Sequence, residues 1–148
     1  MSDWIPINPD NVKTVPAPRE GAAVHINLFL SPYDVPEAVR GRYDQNRKKF
    51  VIDFQYASEE PTRQETVDDK LSIRLGKHSG RLYEIEVDVD RVKAKSVTLV
   101  TFVHKQVESA LENLRKKRVG NVRDNFSVVQ EVVSDRKDQL FRDLAGVS

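Results

Sequence analysis

The chain has 148 residues, with 24 Lys or Arg against 23 Asp or Glu, three His and no Cys. That length fits one domain with an ordinary core and excludes a second full catalytic domain. The missing cysteines exclude disulfide scaffolds, thiol nucleophiles, CxxC redox pairs and thiolate-ligated metals.

The opening Met1-Ser2-Asp3-Trp4-Ile5-Pro6 has neither the basic start nor the apolar run of an export signal. Charge or proline interrupts every apolar stretch before the roughly 20 residues needed to span a bilayer. A cytoplasmic location and no membrane partner are therefore expected, and Asn125-Phe126-Ser127 reads as a chance glycosylation triplet.

Six of the seven prolines fall within the first 36 residues. Each lacks an amide donor and restricts the residue before it, so residues 1–21 read as a flexible, proline-spaced arm. Trp4 and Ile5 are its docking anchors, should it dock on the body or on a partner. Residues 22–148 read as a single domain.

From Ala22 the signal is β. Val24, Ile26, Leu28 and Leu30 alternate with His25, Asn27 and Phe29 until Ser31-Pro32 breaks the run. A strand over Val39 to Tyr43, a polar turn over Asp44 to Lys48 and a strand over Phe50 to Tyr56 follow. Phe50, Ile52, Phe54 and Tyr56 share one face, because side chains two apart on a strand point the same way. Ala57 to Asp69, polar and holding Pro61, reads as a surface loop whose Glu59-Glu60 and Asp68-Asp69 pairs are hydrated and solubilising.

Leu71, Ile73 and Leu75 then alternate with Lys70, Ser72 and Arg74, and a glycine-bounded loop, Gly76 to Gly80, leads to a strand over Arg81 to Val89. Tyr83, Ile85, Val87 and Val89 occupy one of its faces, and Glu84, Glu86, Asp88 and Asp90 the other. One wet face and short connections predict an antiparallel meander.

The period then changes. Val100, Val103, Val107, Ala110, Leu111 and Leu114 fit an amphipathic helix, although the β-branched run Ser96 to Val103 leaves a further strand as an alternative start. A second stripe, Val122, Phe126, Val129, Val133, Leu140 and Leu144, predicts a C-terminal helix beginning near Asn121 and ending at Gly146, with a break near Ser134. The expected fold is α+β: an antiparallel meander of four to five strands, covered on one face by two C-terminal amphipathic helices.

Candidate chemistry is sparse. Gly76-Lys77-His78-Ser79-Gly80 has the composition of a phosphate cradle without its spacing, and it leads into a strand rather than a helix, so it reads as a hairpin loop. The acids at 84, 86, 88 and 90 stand about 7 Å apart along one face, from the strand rise, and read as cross-strand partners of Arg40, Arg42, Lys70 and Arg74 rather than metal ligands. His25, His78 and His104 lie in no metal-binding or triad motif, so no catalytic residue, metal ligand or cofactor is assigned.

Charge is regional. Residues 91–123 carry nine Lys or Arg against Glu108 and Glu112, a balance of +7, whereas residues 53–90 have a balance of −5. Phosphate contacts by Lys105, Arg115, Lys116, Lys117, Arg118 and Arg123 would make a nucleic-acid binder. The same cations also complement a helix C-terminus, and no aromatic interleaves them to stack bases.

Tyr43-Asp44, Phe50-Val51-Ile52, Val67-Asp68-Asp69 and Gly80-Arg81-Leu82-Tyr83-Glu84-Ile85-Glu86-Val87 together resemble a small bacterial β-meander family of unknown function, over residues 39–90. The resemblance implies the meander and transfers no catalytic residue. The expected function is a non-enzymatic interaction module, its partner itself or another protein. A nucleic-acid binder and a small Asp/Glu-based hydrolase or metal-dependent enzyme are the alternatives.

Overall fold

Strong β-formers at alternate positions generate one antiparallel sheet, and the helical stripes that follow cover it. The computed structural model describes residues 4–7, 35–89, 99–118 and 121–145. The expected strand over residues 22–30 and the segment 90–98 lie outside the described residues, as does most of the arm.

Among the described residues six strands form the sheet: β1 (Ile5–Pro6), β2 (Ala38–Asp44), β3 (Lys49–Gln55), β4 (Thr62–Thr66), β5 (Leu71–Gly76) and β6 (Leu82–Asp88). Their spatial order is β1-β2-β3-β6-β5-β4, with every neighbouring pair antiparallel. Two runs of neighbouring strands, β1-β2-β3 and β4-β5-β6, are thus joined through β3 and β6; short turns link β2 to β3, β4 to β5 and β5 to β6, and the chain passes from β3 to the far edge before returning.

The fold is α+β as expected, with more strands than four or five. One extra strand is β1: of the expected arm, residues 4–7 are docked, with Ile5 opposite Val39 and Ile7 buried. The other is β4, which lies inside the stretch read as a loop. Thr-Arg-Gln-Glu-Thr has no apolar residue to betray a period of two, because an edge strand gains its order from ladder bonds to one neighbour.

The core face carries Phe50, Ile52, Phe54, Ile85, Val87, Leu71, Ile73 and Leu75, all buried. Opposed positions confirm the shared face: Phe50 meets Val87, and Ile52 meets Ile85. On β6 the expected alternation slips at one point. Arg74 faces Glu84 while Leu75 faces Leu82, so Tyr83 is an extra, bulged residue. Leu82 therefore joins the core, and Tyr83 turns half-buried toward Tyr56, ring centroids 4.9 Å apart.

Among the described residues, four helices supply the cover: α1 (Leu99–Lys117), α2 (Asn121–Asp135), α3 (Lys137–Leu140) and α4 (Arg142–Ala145). The Ser96–Val103 ambiguity resolves as helix from Leu99 onward, and both predicted stripes face inward: Val103, Val107, Leu111 and Leu114 on α1, and Phe126, Val129 and Val133 on α2, are buried. The break allowed near Ser134 falls at Arg136, after which α3 and α4 turn back over β2. This turn brings Leu140, Phe141 and Leu144 into the core, with Phe141 stacked on Phe50 at 5.0 Å.

Asn125 locks α2 to the sheet. Buried, it accepts a hydrogen bond from the Leu82 amide (3.0 Å) and donates one to the Tyr56 hydroxyl (2.9 Å), which itself donates to the Leu82 carbonyl (2.7 Å). A buried amide satisfied this way fixes orientation as apolar packing alone does not.

Gly41 on β2 is where α3 approaches most closely. A Cβ there would collide with the Leu140 carbonyl and crowd the Phe50 ring. Since both are held by the core, Gly41→Ala is expected to destabilise the protein by about 3 kcal/mol, read as a lower urea midpoint with an unchanged slope.

Candidate functional site

The sheet face away from the helices is an ion-pair lattice. Arg40 and Arg42 both donate to the Asp53 carboxylate, at 3.1 and 2.9 Å. Arg42 and Arg74 flank Glu84, and Arg47 and Lys49 converge on the nearly buried Glu86 at 3.0 and 2.9 Å. Of the acid row, Glu84 and Glu86 thus have the cross-strand pairing expected, through Arg42 and Arg74 as anticipated and through Arg47 and Lys49, which were not. Burial pushes the Glu84 carboxyl up, with neighbouring Asp53 adding to it, while the Asp53 hydrogen bond holds the Arg42 guanidinium more firmly protonated. Among the described residues, no group of three or more His, Asp or Glu converges as a metal site.

Glu60 corrects the reading of residues 57–69. Far from being hydrated, its side chain is 8 % exposed and is the hub of a dense network. The amides of His78 and Ser79 donate to it at 2.8 and 2.9 Å, the Ser79 hydroxyl donates to its other oxygen, and so do Arg81 at 3.1 Å and Tyr83 at 3.0 Å. The Gly76–Gly80 loop is the predicted hairpin, and its amides do cradle an anion, which is the protein's own Glu60. Arg81 lies between aromatic rings, 4.7 Å from the Tyr56 centroid and 5.7 Å from that of Tyr83. Burial alone would push the Glu60 carboxyl up, but these donors outweigh it and hold it at about 2. Burial also pushes the Tyr83 hydroxyl up, reinforced by its bond to Glu60.

This network pins the chain immediately before β4. Beyond Glu60, the Pro61 carbonyl accepts from the Lys77 amide at 2.8 Å, and at the far end Val67 and Asp68 both donate to the Leu71 carbonyl. Between these fixed ends β4 is the outermost strand, with Arg63, Gln64 and Thr66 exposed. The bonds at Pro61 and Val67 set its hydrogen-bonding phase. Odd positions turn their backbone groups toward β5, so Thr62, Gln64 and Thr66 turn theirs toward the open side. Arg63 and Glu65 stand opposite Leu75 and Ile73, on the helix side of the sheet, and pair with each other at 3.1 Å.

The predicted basic cluster is only partly gathered. Arg118 reaches from the end of α1 to Glu65 at 2.5 Å, and Arg115 and Lys116 meet Glu112 at 2.7 and 3.9 Å. Glu112 also accepts from Gln130 of α2; that bond and the one from Arg115 lower its carboxyl. Lys117 and Lys105 are exposed, the latter beside Phe102 and two turns or more from the cluster. Arg123 lies on α2, with its side chain outside the described residues, as are Arg91, Lys93 and Lys95.

Of the histidines, His25 is outside the described residues and His78 serves through its amide. His104 packs edge-on against Phe141 at 5.3 Å, with Glu108 at 3.3 Å. Burial lowers its pKa, Glu108 opposing and Lys137 assisting.

No family model, curated protein or solved structure matches the chain.

Glu60 folds with a carboxyl near 2 against an ordinary value of 4.5, so its stabilising contribution is complete above pH 4.5 and is lost as pH falls toward 2. Glu60→Gln is expected to cost on the order of 2 kcal/mol at neutral pH. It should also flatten the loss of stability between those two pH values, as measured by urea unfolding across an acid series.

Proposed function

We propose that this protein is an interaction module without catalytic activity, and that it associates with copies of itself. One observation carries the reading: β4 is a largely exposed edge strand, anchored at both ends, whose outward amides and carbonyls lack a strand partner among the described residues. Such an edge is a template for adding another strand, since main-chain bonds supply the affinity and side chains the selectivity.

The two edges of the sheet differ in the way this function needs. β1 is two residues long and contains Pro6, which has no amide to donate, so that edge is blunted. β4 has five residues and no proline within it. The basic end of α1 favours this reading over nucleic-acid binding, because Arg115, Lys116 and Arg118 already lie against Glu112 and Glu65. An array that grips phosphate leaves its cations open to counterions.

Sedimentation velocity over a wide concentration series tests the proposal. The weight-average sedimentation coefficient is expected to rise with concentration, and a single monomer boundary up to the solubility limit refutes it.

A further inference from the structure

We infer that the partner at the β4 edge is a second copy of the same edge, joined antiparallel about a two-fold axis through Gln64. This deepens the self-association reading and rests on it. The argument begins with the sequence of β4, Thr62-Arg63-Gln64-Glu65-Thr66, which is self-complementary when reversed. Pairing about Gln64 sets Thr62 opposite Thr66 of the other copy, Gln64 opposite Gln64, and Arg63 opposite Glu65.

The hydrogen-bonding phase fits this register. The outward-facing positions are Thr62, Gln64 and Thr66, and the two-fold pairs these positions only with one another. Each such pair exchanges two N–H···O=C bonds, as an antiparallel ladder requires. Arg63 and Glu65 then occupy the intervening non-hydrogen-bonded pairs, where opposed side chains approach most closely. Both lie on the same sheet face, so the two charge pairs form on one side of the joint, beside Arg118 of each copy.

Charge also excludes the neighbouring registers. A one-residue slip sets outward-facing positions against inward-facing ones and breaks the ladder. Slipping by two residues restores the ladder but brings Arg63 face to face with Arg63, or Glu65 with Glu65, and like charges directly opposed are destabilising. Only the register centred on Gln64 satisfies both backbone and charge. The product is a continuous sheet of twice the width, with the helical layers on the same side.

The joint is short. Five residues span about 17 Å, less than a standard interface needs, so a weak dimer with a dissociation constant of roughly micromolar order is expected.

The test compares the full chain with Arg63→Glu, Glu65→Arg and Gln64→Pro in sedimentation equilibrium. Arg63→Glu and Glu65→Arg each place like charges across both pairs and should weaken self-association by roughly ten- to a hundredfold. Mixed in equal amounts, these two variants regain complementary pairs and should form a heterodimer that neither forms alone. Gln64→Pro deletes an amide that points outward, so the fold is kept while the central bonds of the joint are lost, and a monomer is expected.

Circular dichroism confirms folding of each variant. Glu65→Arg also forfeits the bridge to Arg118, so if it unfolds, Arg63→Glu and Gln64→Pro carry the test. A wild-type chain that associates equally well with both of these changes overturns the β4 joint while leaving self-association standing. A wild-type chain that is monomeric throughout overturns both.

Discussion

A sheet with one apolar face must be covered, and that requirement organises the molecule. Phe50, Ile52, Ile73, Ile85 and Val87 form a continuous oily surface whose exposure would outweigh the marginal stability of a chain this size. The cover comes from α1 and α2 and, past the break at Arg136, from the short α3 and α4 that bring Phe141 down onto Phe50. Gly41 exists for that descent: the strand beneath gives up a side chain so that helical backbone can sit directly on it.

Polar atoms at the boundary of this core are satisfied by one another. Asn125, Tyr56 and Leu82 close a small circuit between helix and sheet, and Glu60, Ser79, Arg81 and Tyr83 close a larger one at the head of the β5–β6 hairpin. The second circuit converts what would be a mobile connection into a fixed support for the strand that follows it. Rigidity of the exposed edge is therefore inherited from buried charge, and the outward row of amides on β4 is presented in one conformation rather than many. An edge already ordered loses less entropy when it gains a neighbour.

The central strands are plain in the sequence because their apolar residues recur at every second position, Phe50, Ile52 and Phe54 on β3 and Ile85 and Val87 on β6, all buried, and the amphipathic periods of α1 and α2 follow directly from their valines and leucines. The features without a local sequence signal have a common cause. β4 has no apolar residue, so its strand character comes from the ladder to β5 and not from its own composition. The role of Glu60 depends on Ser79 and Arg81, some twenty positions away, and adjacency to Glu59 suggests only solvation. The displacement of Tyr83 from the core face follows from a bulge opposite Arg74 and Leu75, which no pattern within β6 announces. The basic run at the end of α1 was visible, yet its engagement with Glu65 required knowing that β4 passes beneath it.

The opposite rim of the sheet gives the molecule a built-in reporter. Trp4 is the sole indole in the chain and immediately precedes the short strand β1, with the Arg40 guanidinium 4.3 Å from its ring centroid. A fixed cation against an indole alters the energy of its excited state, and solvent already reaches part of the ring. Intrinsic fluorescence in this protein therefore monitors detachment of a marginal outer strand. Its unfolding signal will precede the dichroic one wherever that strand peels away before the interior melts.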